Sequence, residues 1–133
     1  MKKYIFIVSL LCLLAACTGK RQGEAAVEVA ALPAVEDVVM YQVNPRVFAP
    51  EKSFKAVERR LDSIQALGIN VVWFMPINEV GQEKSVNSPY CVKDYKGVNP
   101  EFGTLDEFKA LVATCHQKGM NVIIDWVANH TSW

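Results

Sequence analysis

One local pattern occurs twice in this 133-residue chain, at residues 67–74 and again at residues 118–125. Each copy contains a glycine, one apolar residue, an asparagine and then a short apolar run. A β-branched or aromatic run bounded by glycine is typical of a buried strand. Together with one apolar strand upstream, the repeat predicts strand, helix, strand, helix, strand, with parallel strands joined by helical crossovers.

The first strand is expected at residues 38–43, where the turn Asn44-Pro45 breaks it, and residues 46–48 are expected to continue it past the break. The second spans residues 69–74, and the third ends just before Asp125. The apolar runs do not alternate with polar residues, so we expect these strands to be covered on both faces.

The two helices between the strands have clear start and stop signals. The first is predicted from a capping Ser53 to Gly68, with an apolar face on which the residues recur at three- and four-residue spacing: Phe54, Val57, Leu61, Ile64 and Leu67. The second begins at a capping box formed by Thr104 and Glu107 and ends at Gly119. A long polar loop, residues 77–103, separates the second strand from this helix.

Two architectures fit this order of elements: an open doubly wound sheet, or part of a (β/α)8 barrel. A dinucleotide-binding sheet calls for Gly-x-Gly-x-x-Gly after the first strand, where this chain has Asn44-Pro45-Arg46, and no P-loop motif occurs. The 14 basic and 14 acidic residues balance, so the charge gives no case for nucleic-acid binding. Four cysteines without a Cys-x-x-Cys motif do not make a zinc framework.

The first 16 residues are typical of a secretory leader. Lys2 and Lys3 precede an apolar stretch at residues 4–14, which is too short to span a bilayer, since about 20 residues are needed. The following order, Leu-Ala-Ala-Cys, resembles a bacterial lipobox, which implies lipid attachment at Cys17 and a place in the cell envelope, at the outer membrane. The alternative is an ordinary signal peptide with an incidental cysteine. Residues 17–36 are expected to form a flexible tether, and residues 37–133 the folded unit.

Polar residues crowd together after the third strand: Asp125, Asn129, His130 and Thr131. A carboxylate at the end of a buried parallel strand lies at the rim of the core, where α/β folds bind ligands. Taken alone, Asp125 could instead cap a helix, and His130 could be an ordinary surface residue. His116, on the second helix, is expected to be exposed and structural.

Five motifs, in this order and spacing, resemble the beginning of the α-amylase family of glycoside hydrolases. They are residues 41–48 (YQVNPRVF), 67–77 (LGINVVWFMPI), 88–95 (SPYCVKDY), 99–104 (NPEFGT) and 125–130 (DWVANH). The resemblance covers residues 37–133. It implies a (β/α)8 barrel, of which this chain holds about three β/α units, and a retaining hydrolase of α-linked glucans such as starch and maltooligosaccharides.

The resemblance also implies roles for individual residues. Tyr90 matches the tyrosine that stacks on the sugar at the cleavage point, and His130 matches a hydrogen-bond donor to a hydroxyl of that sugar. Asp125 matches a residue that orients its neighbours and is expected to pair with an arginine further along the barrel. Asn129 matches a position that supplies an oxygen to calcium in the calcium-binding members. Pro89 departs from the family, where glycine is common.

The family's nucleophile and general acid/base lie on barrel strands four and five, which are expected beyond Trp133, the last residue of the sequence. The chain is therefore expected to contain no catalytic carboxylate and to be a fragment that is neither well folded nor active alone. A non-catalytic relative that keeps the barrel, serving as a sugar-binding or assembly subunit, is the alternative, and some amino-acid-transporter heavy chains resemble the family in this way. Cys91 and Cys115 could form a disulfide in an oxidising compartment, but the apolar position of Cys115 favours a buried free thiol.

Overall fold

A computed structural model describes residues 30–132 of the chain. A 3-10 turn, Val35–Asp37, leads into the first strand. The three longer strands are β1 (Met40–Val43), β2 (Val71–Phe74) and β5 (Asn121–Ile124), and the short hairpin strands are β3 (Glu79–Val80) and β4 (Val92–Asp94). The helices are α1 (Pro45–Phe48), α2 (Ser53–Glu58), α3 (Leu61–Gln65) and α4 (Leu105–Gln117).

Strands β1, β2 and β5 form a parallel sheet in that order, as the repeat predicts. Val71 in β2 is paired with Met40 in β1 and with Asn121 in β5. The two asparagines of the repeat, Asn70 and Asn121, therefore lie at the same edge of the sheet. The main-chain N–H of Asn121 donates to the main-chain carbonyl of Asn70 at 2.9 Å. The carboxyl ends of the strands meet at the opposite edge.

The helices α2, α3 and α4 all pack on one face of this sheet. A single buried core joins Phe54 of α2, Phe74 of β2 and Phe108 of α4, and the ring of Phe108 lies 5.0 Å from that of Phe54 and 5.4 Å from that of Phe74. A doubly wound sheet would distribute its helices over both faces. Consecutive β/α units lying side by side, with all helices outside, are the arrangement of a barrel.

The prediction that both faces of the strands are covered holds only in part for residues 30–132, because Val71 and Asn121 on the second face are 6% and 5% exposed but other residues there are not covered. Opposite the helices, Met40 is 50% exposed and Ile123 is 42% exposed. This face corresponds to the interior of a barrel, and three strands do not close around it.

The first predicted helix is two short helices, because the chain turns at Arg59 and Arg60 between α2 and α3. Ser53 does not cap it: Lys52 occupies the cap position, with φ +50°, and the buried Ser53 hydroxyl donates to the Pro45 carbonyl at 2.6 Å. Leu67 lies beyond the end of α3 and is 68% exposed. Residues 46–48 belong to helix α1 and do not extend β1, because the Asn44 side chain caps this helix by accepting from the Arg46 main-chain amide.

The capping box of α4 is confirmed: Thr104 Oγ1 accepts from the Glu107 amide at 3.1 Å, and Glu107 Oε2 accepts from the Thr104 amide at 2.9 Å. Gly119 ends this helix with φ +73°, a conformation that glycine adopts without strain. The long loop is more ordered than predicted, since the hairpin of β3 and β4 lies within it.

The two ends of the sequence lie outside the described residues. At the amino end these are the proposed leader, with Cys17, and most of the tether. At the carboxyl end it is Trp133. The prediction that the catalytic carboxylates follow this residue stays a prediction. Between residues 30 and 132, no helix has the length and apolar character that crossing a membrane requires.

Candidate functional site

Asp125 follows β5 directly, and its amide continues the ladder by donating to the Phe74 carbonyl at 2.9 Å. Both oxygens of its carboxylate accept hydrogen bonds: Oδ1 from the indole N–H of Trp73 at 2.6 Å, and Oδ2 from the hydroxyl of Tyr90 at 2.9 Å. No helix begins at this point of the described chain. The carboxylate is therefore held in one orientation at the rim of the sheet instead of capping a helix.

Tyr90 reaches Asp125 from the loop before β4. Its side chain is 39% exposed, so one part of the ring is available to solvent while the hydroxyl is bound. The hydrogen bond to Asp125, followed by burial and by the negative charge of that carboxylate, raises the pKa of Tyr90 above its ordinary value of 10.0. The hydroxyl is thus a neutral donor across the physiological pH range.

His130 also lies against Tyr90. Its Nε2 is 3.1 Å from the Tyr90 carbonyl oxygen, and its Nδ1 is 3.2 Å from the side-chain nitrogen of Asn129. Because a carbonyl can only accept, Nε2 must carry the proton. Nδ1 then accepts from the side-chain NH2 group of Asn129. The imidazole N–H that could bind a sugar hydroxyl is therefore already donated to the main chain of Tyr90.

The segment from Trp126 to Ser132 has no regular secondary structure, and its hydrogen bonds to other parts of the described chain are made to residues 90–95. The hydroxyl of Tyr95 lies 2.5 Å from the carbonyl oxygens of both Val127 and His130. The Thr131 hydroxyl and the Ser132 amide both donate to the carbonyl of Val92, at 3.0 and 2.8 Å. Two loops that are distant in sequence thus form one wall at the carboxyl edge of the sheet.

Two clefts of about 400 Å³ each flank Tyr95 and Trp126 on this wall. One runs along residues 126–131, and the other reaches down to Phe108 and Ile124. Trp126 is 80% exposed between them. Aromatic faces beside a few polar groups suit the alternating apolar and hydroxyl surface of a sugar.

Calcium needs roughly 6–8 oxygen ligands. Asn129 offers one amide oxygen, and within the described residues no three His, Cys, Asp or Glu side chains are grouped so as to hold a metal ion. The calcium site at Asn129 therefore stays a prediction.

The remaining sequence-predicted groups are two cysteines and one histidine. Cys91 and Cys115 are both free, so they do not form a disulfide with each other. Cys115 is fully buried, and burial, together with the charge of Glu58, raises the pKa of its thiol to about 12. His116 is half-buried, and its Nδ1 is buried without a hydrogen-bond partner in the described part of the chain, so the prediction that it is exposed is wrong. It stands four residues after Val112, on the flank of the apolar stripe.

Sequence reasoning identifies Tyr90, Asp125 and His130 but misses Trp73 and Tyr95. Trp73 is predicted only as a strand residue, although a half-buried indole N–H usually needs a partner. Tyr95 gives no local signal, because the carbonyls it contacts lie 32 and 35 residues further along the chain.

Comparison with known proteins shows similarity to one family. The sequence model of the family described as "Alpha amylase, catalytic domain" matches residues 51–133. An amino acid transporter heavy chain of Rattus norvegicus is 38% identical over 98 residues, which are 70% of this chain and 14% of that protein. A probable oligo-1,6-glucosidase of Bacillus subtilis is 34% identical over 102 residues, which are 73% of this chain and 18% of that protein.

Among solved structures, an α-amylase from Lactobacillus plantarum superposes with a TM-score of 0.67 at 41% identity. The match covers 71% of this chain and 23% of that one. The chain therefore spans less than a quarter of the length of each of these three relatives, and it corresponds to the first three β/α units of a (β/α)8 barrel. The matching family model, the level of identity and the shared fold together establish that this chain belongs to the α-amylase family.

Proposed function

We propose that residues 37–133 contribute the sugar-binding wall of a hydrolase that cleaves α-glucosidic bonds in α-glucans such as starch and maltooligosaccharides. The observation that carries the proposal is the cluster at the carboxyl edge of the sheet, where Tyr90 bonds to Asp125 at 2.9 Å and His130 contacts Tyr90 at 3.1 Å. Similarity to an oligo-1,6-glucosidase and to an α-amylase supports the same class of substrate.

In this proposal the Tyr90 ring stacks on the apolar face of a glucose unit, and its bond to Asp125 fixes the angle of the ring. The N–H at Nε2 of His130 donates to a substrate hydroxyl, either in place of the Tyr90 carbonyl or in addition to it. Asp125 orients these groups and is not the nucleophile. Retaining hydrolysis uses two carboxyl groups about 5–5.5 Å apart, and the family resemblance assigns them to barrel strands four and five, beyond Trp133.

The test uses the complete product of the reading frame that contains this sequence, assayed on maltotriose and isomaltose. Tyr90→Ala is expected to lower kcat/KM by about 10- to 100-fold, equivalent to ~1–3 kcal/mol of stacking by analogy with bases on aromatic rings. Tyr90→Phe keeps the ring and should retain more activity. If Tyr90→Ala hydrolyses both sugars as well as the parent does, Tyr90 has no part in the site.

A non-catalytic assembly subunit is the second candidate, and the 38% identity to an amino acid transporter heavy chain is the observation that favours it. This candidate predicts a product that folds but releases no glucose or maltose from either substrate. Detectable turnover that Tyr90→Ala reduces would exclude it.

Attachment to the bacterial outer membrane is proposed separately, through a lipid on Cys17, and rests on the Leu-Ala-Ala-Cys order alone. Labelled palmitate should enter the product in a bacterial host, and Cys17→Ala should abolish the labelling. Cys12→Ala, which alters the leader without touching the attachment point, is the matched control. Labelling that persists in Cys17→Ala would contradict lipidation at Cys17.

A further inference from the structure

The main-chain carbonyls of Val127 and His130 lie three residues apart and converge on a single group, the hydroxyl of Tyr95. A phenol has one proton, so the two carbonyls share that donor. This contact bridges the stretch that carries Ala128 and Asn129, and it reaches His130 through the main-chain carbonyl of that residue.

Tyr95 is attached to the hairpin of β3 and β4. It follows β4, which pairs with β3, and the Lys93–Glu79 ion pair of 2.9 Å crosses the same hairpin. The segment that follows β5 lacks a ladder of its own. The hairpin is thus the ordered support, and the segment 126–131 is docked onto it.

We infer that Tyr95 is a positioning residue, whose hydroxyl holds the segment 126–131 so that the His130 imidazole faces the sugar site. This inference rests on the proposed function, because it assigns His130 to substrate binding. Tyr95 need not touch the substrate. A displacement of about 1 Å in a binding group can cost on the order of 100-fold in rate, so loss of a single hydroxyl that positions His130 can still reduce turnover.

The first measurement is hydrogen–deuterium exchange in the complete product, and it does not depend on activity. Tyr95→Phe removes the hydroxyl and keeps the ring that lines both clefts, so peptides covering residues 126–132 should exchange faster than in the parent. Tyr41→Phe is the matched control, because Tyr41 is half-buried on β1 and its hydroxyl makes no hydrogen bond within the described residues. Unchanged exchange at 126–132 in Tyr95→Phe would overturn the inference, even if the parent hydrolysed nothing.

The second measurement is a double-mutant cycle on maltotriose. Tyr95→Phe is expected to lower kcat/KM by about 10-fold or more when His130 is present, and by less than about 3-fold in the His130→Ala background, because the two residues act through one contact. Equal losses in both backgrounds would mean that Tyr95 acts generally on stability, which contradicts the positioning role. If the parent is inactive but Tyr95→Phe exchanges faster, the proposed hydrolase activity is contradicted. The role of Tyr95 in holding the segment 126–131 is still supported in that case.

Discussion

Asp125 accepts from two donors that reach it from different parts of the chain, Trp73 on β2 and Tyr90 on the long loop. Each donor occupies one carboxylate oxygen, so rotation of the carboxylate would break both bonds. Charge-assisted bonds of this kind are about twice as strong as neutral ones. The orientation of the Tyr90 ring therefore depends on Asp125, which lies 35 positions later in the sequence.

This coupling predicts the alkaline titration of Tyr90. Its folded pKa lies above the ordinary 10.0, so the stabilising bond to Asp125 is fully present below pH 10 and is lost as the pH rises through the higher folded value. The absorbance change at 295 nm, taken as the difference between the parent and Tyr90→Phe, should therefore have its midpoint above pH 10. Asp125→Asn should move that midpoint down toward 10. A midpoint at or below 10 in the parent would contradict the coupling.

At the scale of elements, α4 depends on the capping box that joins Thr104 and Glu107. Thr104→Ala leaves the Glu107 amide without its acceptor and should lower the free energy of unfolding by about 1 kcal/mol. Thr104→Ser keeps the oxygen and should cost only a small fraction of that. Denaturant titration of the complete product measures both variants, and equal stabilities of the Ala and Ser variants would show that the cap does not support the helix.

The elements also show what sequence can and cannot predict. Strands β2 and β5 are predicted because each is an apolar run that follows a glycine. The apolar run indicates a buried strand, and the glycine indicates where the preceding helix ends. The β3–β4 hairpin escapes prediction because Glu79–Val80 is only two residues long and is held partly by a Lys93–Glu79 ion pair across the loop. Tyr95 escapes it for a related reason, since a hydroxyl that binds distant carbonyls leaves no periodic pattern.

At the scale of the whole molecule, the helices cover one face of the sheet and leave the other open. On this second face Met40 is 50% exposed and Ile123 is 42% exposed. In a closed barrel the open face would be buried against further strands. Apolar side chains exposed on a sheet face are typical of a surface that another element or a partner covers.

Residues 37–133 expressed alone should therefore bind the dye ANS strongly and unfold without a cooperative thermal transition. Ile123→Thr tests this by having different effects in the isolated segment and in the complete product. In the isolated segment it should reduce ANS binding, because Ile123 is 42% exposed there. In a complete product whose barrel covers the same side chain, it should instead lower the free energy of unfolding by about 1–3 kcal/mol. A sharp cooperative transition in the isolated segment, with no ANS binding, would mean that three strands and their helices are a sufficient folding unit and that the open face needs no cover.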